Sequence, residues 1–498
     1  MSVHIQPPKS YGNFVDGKQI GAVDGATFGS TNPTSGSHWG DFALSTAADV
    51  DAAVRSAHAA FSGAWSKLSP TERGKRLTAW GEKIASKALH IGTIESTQNG
   101  KLLAEMRLQA TIAEDWLRYF GGLADKIEGS VIPLARQSVL NYTLREPLGV
   151  IAVITAWNSP TFLNIMAAAP ALAAGNTIVL KPSEVTSASA IEIAQLAVEA
   201  GIPEGVINVV TGLRETGEAL IDHPLVRKVS FVGSVGAGRE IAARAGRRLI
   251  TSTLELGGKS PNIVFGDADL DLAEIGVLAG IFAAAGQTCV AGSRVYIHAS
   301  VYEKLVDRLI ARSKQIKMGD PLSAETQMGP VATQAQLSKD ESMVGRAVAH
   351  GAELLAGGRR ASVEQWPKGL FFEPTILHKA DKDNPIIKQE VFGPVLAVTR
   401  FDSDEQVLEM ANDTEFGLAA GIWTNDIRRA HSMARALQAG TVWINTYRAL
   451  AFNSPFGGYR SSGTGRNNGI ESINQYLQTK SIWCELSKVA QDPFVLRT

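Results

Sequence analysis

Cysteine is nearly absent from this chain: Cys289 and Cys484 are the only two among 498 residues. At most one disulfide is possible. A disulfide framework is excluded, and a reduced, cytoplasmic setting is the simpler expectation. No apolar run reaches the roughly 18–20 residues needed to span a bilayer; one of the longer ones, Ile275 to Ala285, reads as buried helix. The first ten residues are polar, contain Pro7 and Pro8, and carry no apolar core, so no secretory signal is expected. Neither sign of charge dominates. Lys and Arg number 48 against 49 Asp and Glu, with no basic run and no acidic tail. That balance gives no reason to expect nucleic acid or an anionic membrane as partner. The nine histidines are scattered, and no close His-x-x-His or His-Glu-x-x-His spacing occurs. With the two cysteines far apart, no metal site is expected.

What is present is ordinary globular material, and 498 residues are too many for a single core, so two or three domains are expected. From Ala47 to Leu123 the apolar spacing is helical. Ser69-Pro70 reads as an N-cap followed by proline in the first turn, opening one of these helices. Val139 to Glu146 alternates apolar and polar, as a half-exposed antiparallel strand does. A regular series then begins. Apolar runs at Val150 to Thr155, Asn176 to Leu180, Val206 to Val210, Lys228 to Val232 and Leu249 to Leu256 alternate with helical stretches. The alternation resumes after Gly257, with Asn262 to Val264, a helix from Leu270 to Ala285, a strand at Arg294 to Ile297 and a helix at Val301 to Ile316. Buried strands alternating with helices predict two doubly wound α/β lobes, joined near Gly257-Gly258 with a cleft between them.

Ligands of such sheets bind beyond the carboxyl ends of the strands. Four strand ends carry chemistry. The first leads into Trp157-Asn158-Ser159-Pro160, where Asn158 is a neutral amide donor or the start of an Asx turn. The second leads into Lys181-Pro182-Ser183-Glu184; Glu184 suits ribose hydroxyls, and a surface Lys with a helix-start Glu is the plainer alternative. The fourth opens Gly233-Ser234 with Gly236 and Gly238 before a helix, which suits a phosphate or merely a tight turn. The fifth ends at Glu255, followed by Gly257-Gly258. A carboxylate buried there would be pushed toward general-base work; a strand-end Glu more often faces solvent. Cys289 lies in Gly286-Gln287-Thr288-Cys289, a turn open to a small substrate, although a lone cysteine is commonly an inert core residue.

Taken together, these pieces resemble the aldehyde dehydrogenase superfamily, of the hydrolytic, NAD(P)-dependent kind. The resemblance covers nearly the whole chain. It also includes Glu390-Val391-Phe392-Gly393-Pro394, Trp443-Ile444-Asn445-Thr446 and the stretch from Pro455 to Gly463. It implies Cys289 as nucleophile, Glu255 as general base, and Asn158 with the Cys289 backbone N–H as oxyanion hole. It implies a cofactor site built from Trp157, Lys181, Ser183, Glu184, Gly233, Ser234, Gly257, Glu390 and Phe392, with NAD expected and NADP left open. It implies two Rossmann-like lobes, a dinucleotide-binding domain of residues 1–126 and 148–257 and a catalytic domain of 258–456. Residues 127–147 and 477–498 would form an antiparallel oligomerisation segment, so a homodimer or homotetramer is expected. The partner is a small-molecule aldehyde.

The chain departs from the family's common pattern at several positions. Ala156 precedes Trp157 where proline is common, Arg460 replaces Lys, and Asn467 stands where many members carry Glu. Met166 and Ala167 replace a common Trp-Lys pair, and Ser159 replaces an aromatic residue that narrows the substrate tunnel. These leave Cys289 and Glu255 untouched and bear on the substrate. A medium-sized or aromatic aldehyde is the expectation. An aldehyde-acid is the alternative, because Arg448 falls on a stretch that in the family lines the tunnel mouth. A CoA-acylating relative would generally lack the Glu255 carboxylate, and a structural protein on the same fold would have lost the nucleophile or the base.

Overall fold

A computed structural model describes residues 10–488 and Phe494. The ends of the expected outer segments, 1–9, 489–493 and 495–498, lie outside the described residues. The architecture is two α/β lobes, each built on its own sheet. The first sheet has eight strands, and its centre is five parallel strands in the order Thr251–Glu255, Val226–Val232, Val150–Ile154, Thr177–Lys181, Ile207–Val209. Every residue of Val150–Ile154 and of Thr177–Lys181 is buried. Such strands are covered by helices on both faces, which is why they read as continuous apolar runs rather than alternating ones. The second sheet has seven strands, with parallel pairing of Pro261–Val264 to both Arg294–His298 and Ala419–Trp423.

Local signals explain where helices begin. Ser69 accepts from the Glu72 backbone N–H at 3.3 Å while the Glu72 carboxylate accepts from Ser69 N–H at 2.8 Å. This reciprocal cap starts Pro70–Ser86, with Pro70 in the first turn, where no N–H is needed. The helix Pro160–Ala173 is almost wholly apolar, and all of it but Phe162 is buried in the centre of the first lobe.

Two segments join from afar. Gly463–Thr464 runs antiparallel beside Thr251–Glu255, so the chain following the second lobe closes the first lobe's edge. Near the amino end, Asn13–Val15 pairs antiparallel with Ile207–Val209. A separate three-stranded antiparallel sheet is formed by Leu477–Glu485, Val139–Pro147 and Val131–Ile132.

One expectation fails in a way that matters. The helix expected from Leu270 to Ala285 stops at Ile281. Ala284 and Ala285 then take left-handed conformations, φ 57° and 50°, and Gly286 follows at φ 71°. A left-handed alanine costs about 1–2 kcal/mol. Here the departure turns the chain back against Gly393, whose carbonyl would lie only 2.0 Å from any Cβ placed on Gly286. Composition cannot reveal this kink, because two alanines and a preceding apolar helix read as more helix. The turn it creates carries Cys289.

Candidate active site

The linker Gly257-Gly258 is the meeting point. A Cβ on Gly258 would come 2.7 Å from the Cys289 carbonyl oxygen, and one on Gly257 would overlap the Glu390 carboxylate at 2.2–2.8 Å. Only glycine permits both approaches. The Gly258 N–H also donates to Glu390 Oε1 at 3.0 Å. The crossover between lobes therefore touches the cysteine turn on one side and Glu390 on the other.

Cys289 is half-buried and free. It packs beside a cluster containing Leu163, Met166, Val290, Trp443 and Phe456. Burial, together with the negative charges of Glu255 and Glu390, pushes its thiol up to about 12. The two backbone N–H groups of Cys289 and Val290 act in the opposite direction by favouring the thiolate.

Glu255 ends its strand, and the structure overturns the solvent-facing alternative: its relative exposure is 4%. Neither carboxylate oxygen has a hydrogen-bond partner. Burial raises its pKa well above the ordinary carboxyl range, and the Arg466 guanidinium offsets this only in part. An unpartnered buried carboxyl is costly in the ionised form, so burial here favours the neutral acid.

Asn158 is buried, and its Nδ2 donates to the Gln287 carbonyl at 3.2 Å, which brings the amide to the cysteine turn. Gln287 is itself held: its Oε1 accepts from the Ala332 N–H at 2.8 Å. Asn158 and Glu255, just past and at two strand ends, and Cys289, on the turn after a helix, are thus gathered around one linker.

The remaining predicted residues divide into two groups. Trp157 and Phe392 meet edge to face, with ring centroids 5.4 Å apart; Phe392 takes φ 64°, a strained conformation for an aromatic residue. Glu390 and the Gly257-Gly258 linker lie near the cysteine. The second group lies farther along the sheet's carboxyl edge. Lys181 is buried; its Nζ donates to the Pro182 carbonyl at 3.1 Å and stands 4.0 Å from Glu184. Ser183 Oγ donates to Glu184 at 3.3 Å. Ser234 caps the helix Val235–Arg247, accepting from Ala237 N–H at 3.3 Å, and Gly233 N–H donates to the Glu255 carbonyl at 3.0 Å. A cavity of about 370 Å³ lies there, walled by Ile154, Lys181, Glu184, Leu213, Phe231 and Ala237. Cavity, helix N-terminus and exposed carboxylate suit a nucleotide.

Comparison with known proteins resolves the family. The pattern of the aldehyde dehydrogenase family matches residues 22–482. The chain belongs to the aldehyde dehydrogenase family. It is 41% identical over 490 residues to (Z)-2-((N-methylformamido)methylene)-5-hydroxybutyrolactone dehydrogenase of Acinetobacter baylyi, covering 98% of each chain. It is 42% identical to a betaine aldehyde dehydrogenase of Brucella anthropi, over 89% of this chain and 90% of that one. Among solved structures, an NAD+ complex of aldehyde dehydrogenase from Bacillus cereus superposes with TM-score 0.93 at 38% identity, covering 96% of this chain and 97% of that one. Among the described residues, no helix is long and apolar enough to cross a membrane, and no cluster of three or more His, Cys, Asp or Glu could hold a metal.

Sequence reasoning missed a set of polar residues beside this aldehyde dehydrogenase site. Glu95, Asn99 and Lys101 are all buried and bond to the segment that carries Asn158. In the sequence they look like the polar end of a surface helix. The structure also shows Arg448 held within the fold rather than free in solvent. Its Nη2 pairs with Glu105 at 3.1 Å, and Nη1 reaches the Ala279 carbonyl at 3.4 Å.

Proposed function

We propose that this aldehyde dehydrogenase oxidises an aldehyde to a carboxylic acid with NAD, through a thioester on Cys289. The observation that carries the proposal is the convergence of Cys289, the unpartnered Glu255 carboxyl and the Asn158 amide around Gly257-Gly258. The NAD+ bound in the Bacillus cereus relative supports NAD here. Lys181, Ser183 and Glu184 would hold the adenosine ribose, and Gly233 and Ser234 would lie against the pyrophosphate. Glu390 would take the nicotinamide ribose, between Gly257 and the Trp157–Phe392 pair. When bound, the nicotinamide supplies the hydride acceptor. The cofactor lobe comprises 1–126 and 148–257, and the catalytic lobe 258–456.

The chain's own residues do the rest. The Cys289 thiolate, its proton released to solvent water, bonds to the aldehyde carbon. The carbonyl oxygen becomes an oxyanion, stabilised by the Asn158 amide and the Cys289 backbone N–H. This tetrahedral carbon gives up hydride, and a thioester remains on Cys289. Glu255 then takes a proton from water, whose oxygen attacks the thioester carbonyl. The C–S bond breaks, and the acid leaves.

A medium-sized or aromatic aldehyde fits best, because Ser159 replaces a bulky ring and the cluster beside Cys289 offers Trp443, Phe456, Phe162 and Tyr447. One observation favours a second reading, an aldehyde bearing a distal carboxylate. Lys101, Glu105 and Arg448 form a row with net charge +1, which would oppose a cationic aldehyde such as betaine aldehyde. A homodimer or homotetramer is proposed on the three-stranded antiparallel sheet, where Val131 and Trp483 stand exposed.

The chemistry is tested by two variants. Cys289→Ala should abolish turnover. Glu255→Gln should keep a first burst of reduced cofactor and lose steady turnover, with or without added CoA. An unchanged steady rate in either variant would sink the assignment.

A further inference from the structure

Three buried side chains grip one short piece of main chain. Asn99 Nδ2 donates to the Trp157 carbonyl at 3.2 Å. Lys101 Nζ donates to the Asn158 carbonyl at 2.8 Å. Glu95 Oε1 accepts from both the Thr161 N–H at 2.7 Å and the Thr161 hydroxyl at 2.6 Å. All three belong to the end of the helix Ala88–Asn99 and the turn that follows it. Two of them are also bound to each other: the Lys101 N–H donates to Asn99 Oδ1 at 2.9 Å. Relative exposure is 0% for Glu95 and Asn99 and 2% for Lys101.

A buried ammonium and a buried carboxyl are poor choices for stability alone, since an apolar pair would pack there without desolvation cost. What these groups supply is direction. Each ends on a different atom of residues 157–161, and the Asn158 side chain projects from between those anchors. Lys101 is held in turn by Glu105 at 2.9 Å, and the same Glu105 oxygen accepts from Arg448 at 3.1 Å. The grip therefore runs outward through α-helix Leu103–Leu123 to the second lobe's Arg448.

We propose that Glu95, Asn99 and Lys101 are positioning residues for the oxyanion hole, with Lys101 setting the place of the Asn158 amide through its backbone carbonyl. The assignment rests on Asn158 acting as the oxyanion donor. An amide displaced by about 1 Å meets the oxyanion poorly, and misplacement of that order costs up to about a hundredfold in rate.

The experiment is a double-mutant cycle on first-turnover hydride transfer, read at saturating NAD and aldehyde, with melting temperature as the folding control. Asn158→Ala should slow the step by about 10²–10³-fold, as loss of one oxyanion donor does. Lys101→Met should slow it by roughly 10–100-fold while leaving the KM for NAD within about twofold. Lys101→Arg, which restores a cationic donor, should recover most of the loss. In the Asn158→Ala background, Lys101→Met should add no more than about twofold, since the group it positions is gone. Losses that multiply, or a Lys101→Met rate within about twofold of the parent, would overturn the positioning role. A fast Asn158→Ala enzyme would instead refute the oxyanion assignment itself. If Lys101→Met does not fold, Asn99→Ala takes its place, with an expected loss of roughly threefold to tenfold and the same absence of effect beside Asn158→Ala.

Discussion

Arg448 and Glu105 form an ion pair at 3.1 Å between residues 343 positions apart in the chain, and the same Glu105 oxygen also accepts from Lys101 at 2.9 Å. Two cations thus share one carboxylate. The pair lies one residue beyond Tyr447, whose hydroxyl donates to the Val290 carbonyl beside Cys289 at 3.0 Å. Arg448 is only partly shielded, with 24% of its side chain exposed, so its charge can reach a ligand bound beside Cys289.

The expected consequence is selectivity by charge. Arg448→Ala should lower kcat/KM by roughly tenfold, about 1.4 kcal/mol, for an aldehyde with a distal carboxylate. A neutral aldehyde of the same length should change by only about twofold. Steady-state kinetics on such a matched pair decide the matter; equal effects on both would confine Arg448 to tying the two lobes together.

Glu255 gives a pH signature of opposite sign for rate and stability. Its carboxyl is held well above the ordinary 4.5 by burial. Thioester hydrolysis needs the ionised form, so the steady-state rate should climb with pH through this raised value. For stability the sign reverses. The folded state prefers the neutral acid, so the contribution is fully present below 4.5 and is lost as pH rises through the folded value. Glu255→Gln removes that penalty and should raise the melting temperature at pH 8 by about 1–3 °C, with little change at pH 4. A lower melting temperature at pH 8 would show that the ionised carboxylate is stabilised in the fold.

Glu184 should set the cofactor preference. About half of its side chain is exposed, at the rim of the 370 Å³ cavity and 4.0 Å from Lys181. A carboxylate there accepts from ribose hydroxyls and repels a 2′-phosphate. NAD should exceed NADP in kcat/KM by roughly tenfold or more, and Glu184→Ser should narrow the gap chiefly by improving NADP. Parallel kinetics with both cofactors test this, and a clear preference of the parent enzyme for NADP would refute it.

Much of the first lobe was legible because its strands are buried on both faces. A run such as Val150–Ile154 has no exposed side to interrupt its apolar character, and the residues just past each run fall at the sheet's carboxyl edge by topology alone. The strands Ser10–Tyr11 to His38–Ala43 were not anticipated, since they are short, and the exposed residues of Lys18–Ile20 and Thr27–Thr31 carry little periodic signal. The turn at Ala284 and Ala285 reads as helix in the sequence, because alanine favours helix and its left-handed backbone here leaves no mark on composition.

The sequence by itself determined the two-lobed α/β architecture and which strand ends hold chemistry, because hydrophobic periodicity is a local property and sheet edges follow from it. It also determined that a lone cysteine, a carboxylate before two glycines and an amide after the first buried strand lie on separate segments. Only the tertiary structure decided that these segments meet, that Glu255 is stripped of partners, and that Glu95, Asn99 and Lys101 turn inward to grip residues 157–161. The reason is physical. Whether a polar side chain is solvated or buried depends on what packs over it, and for these residues the cover comes from elements dozens to hundreds of positions away in the chain.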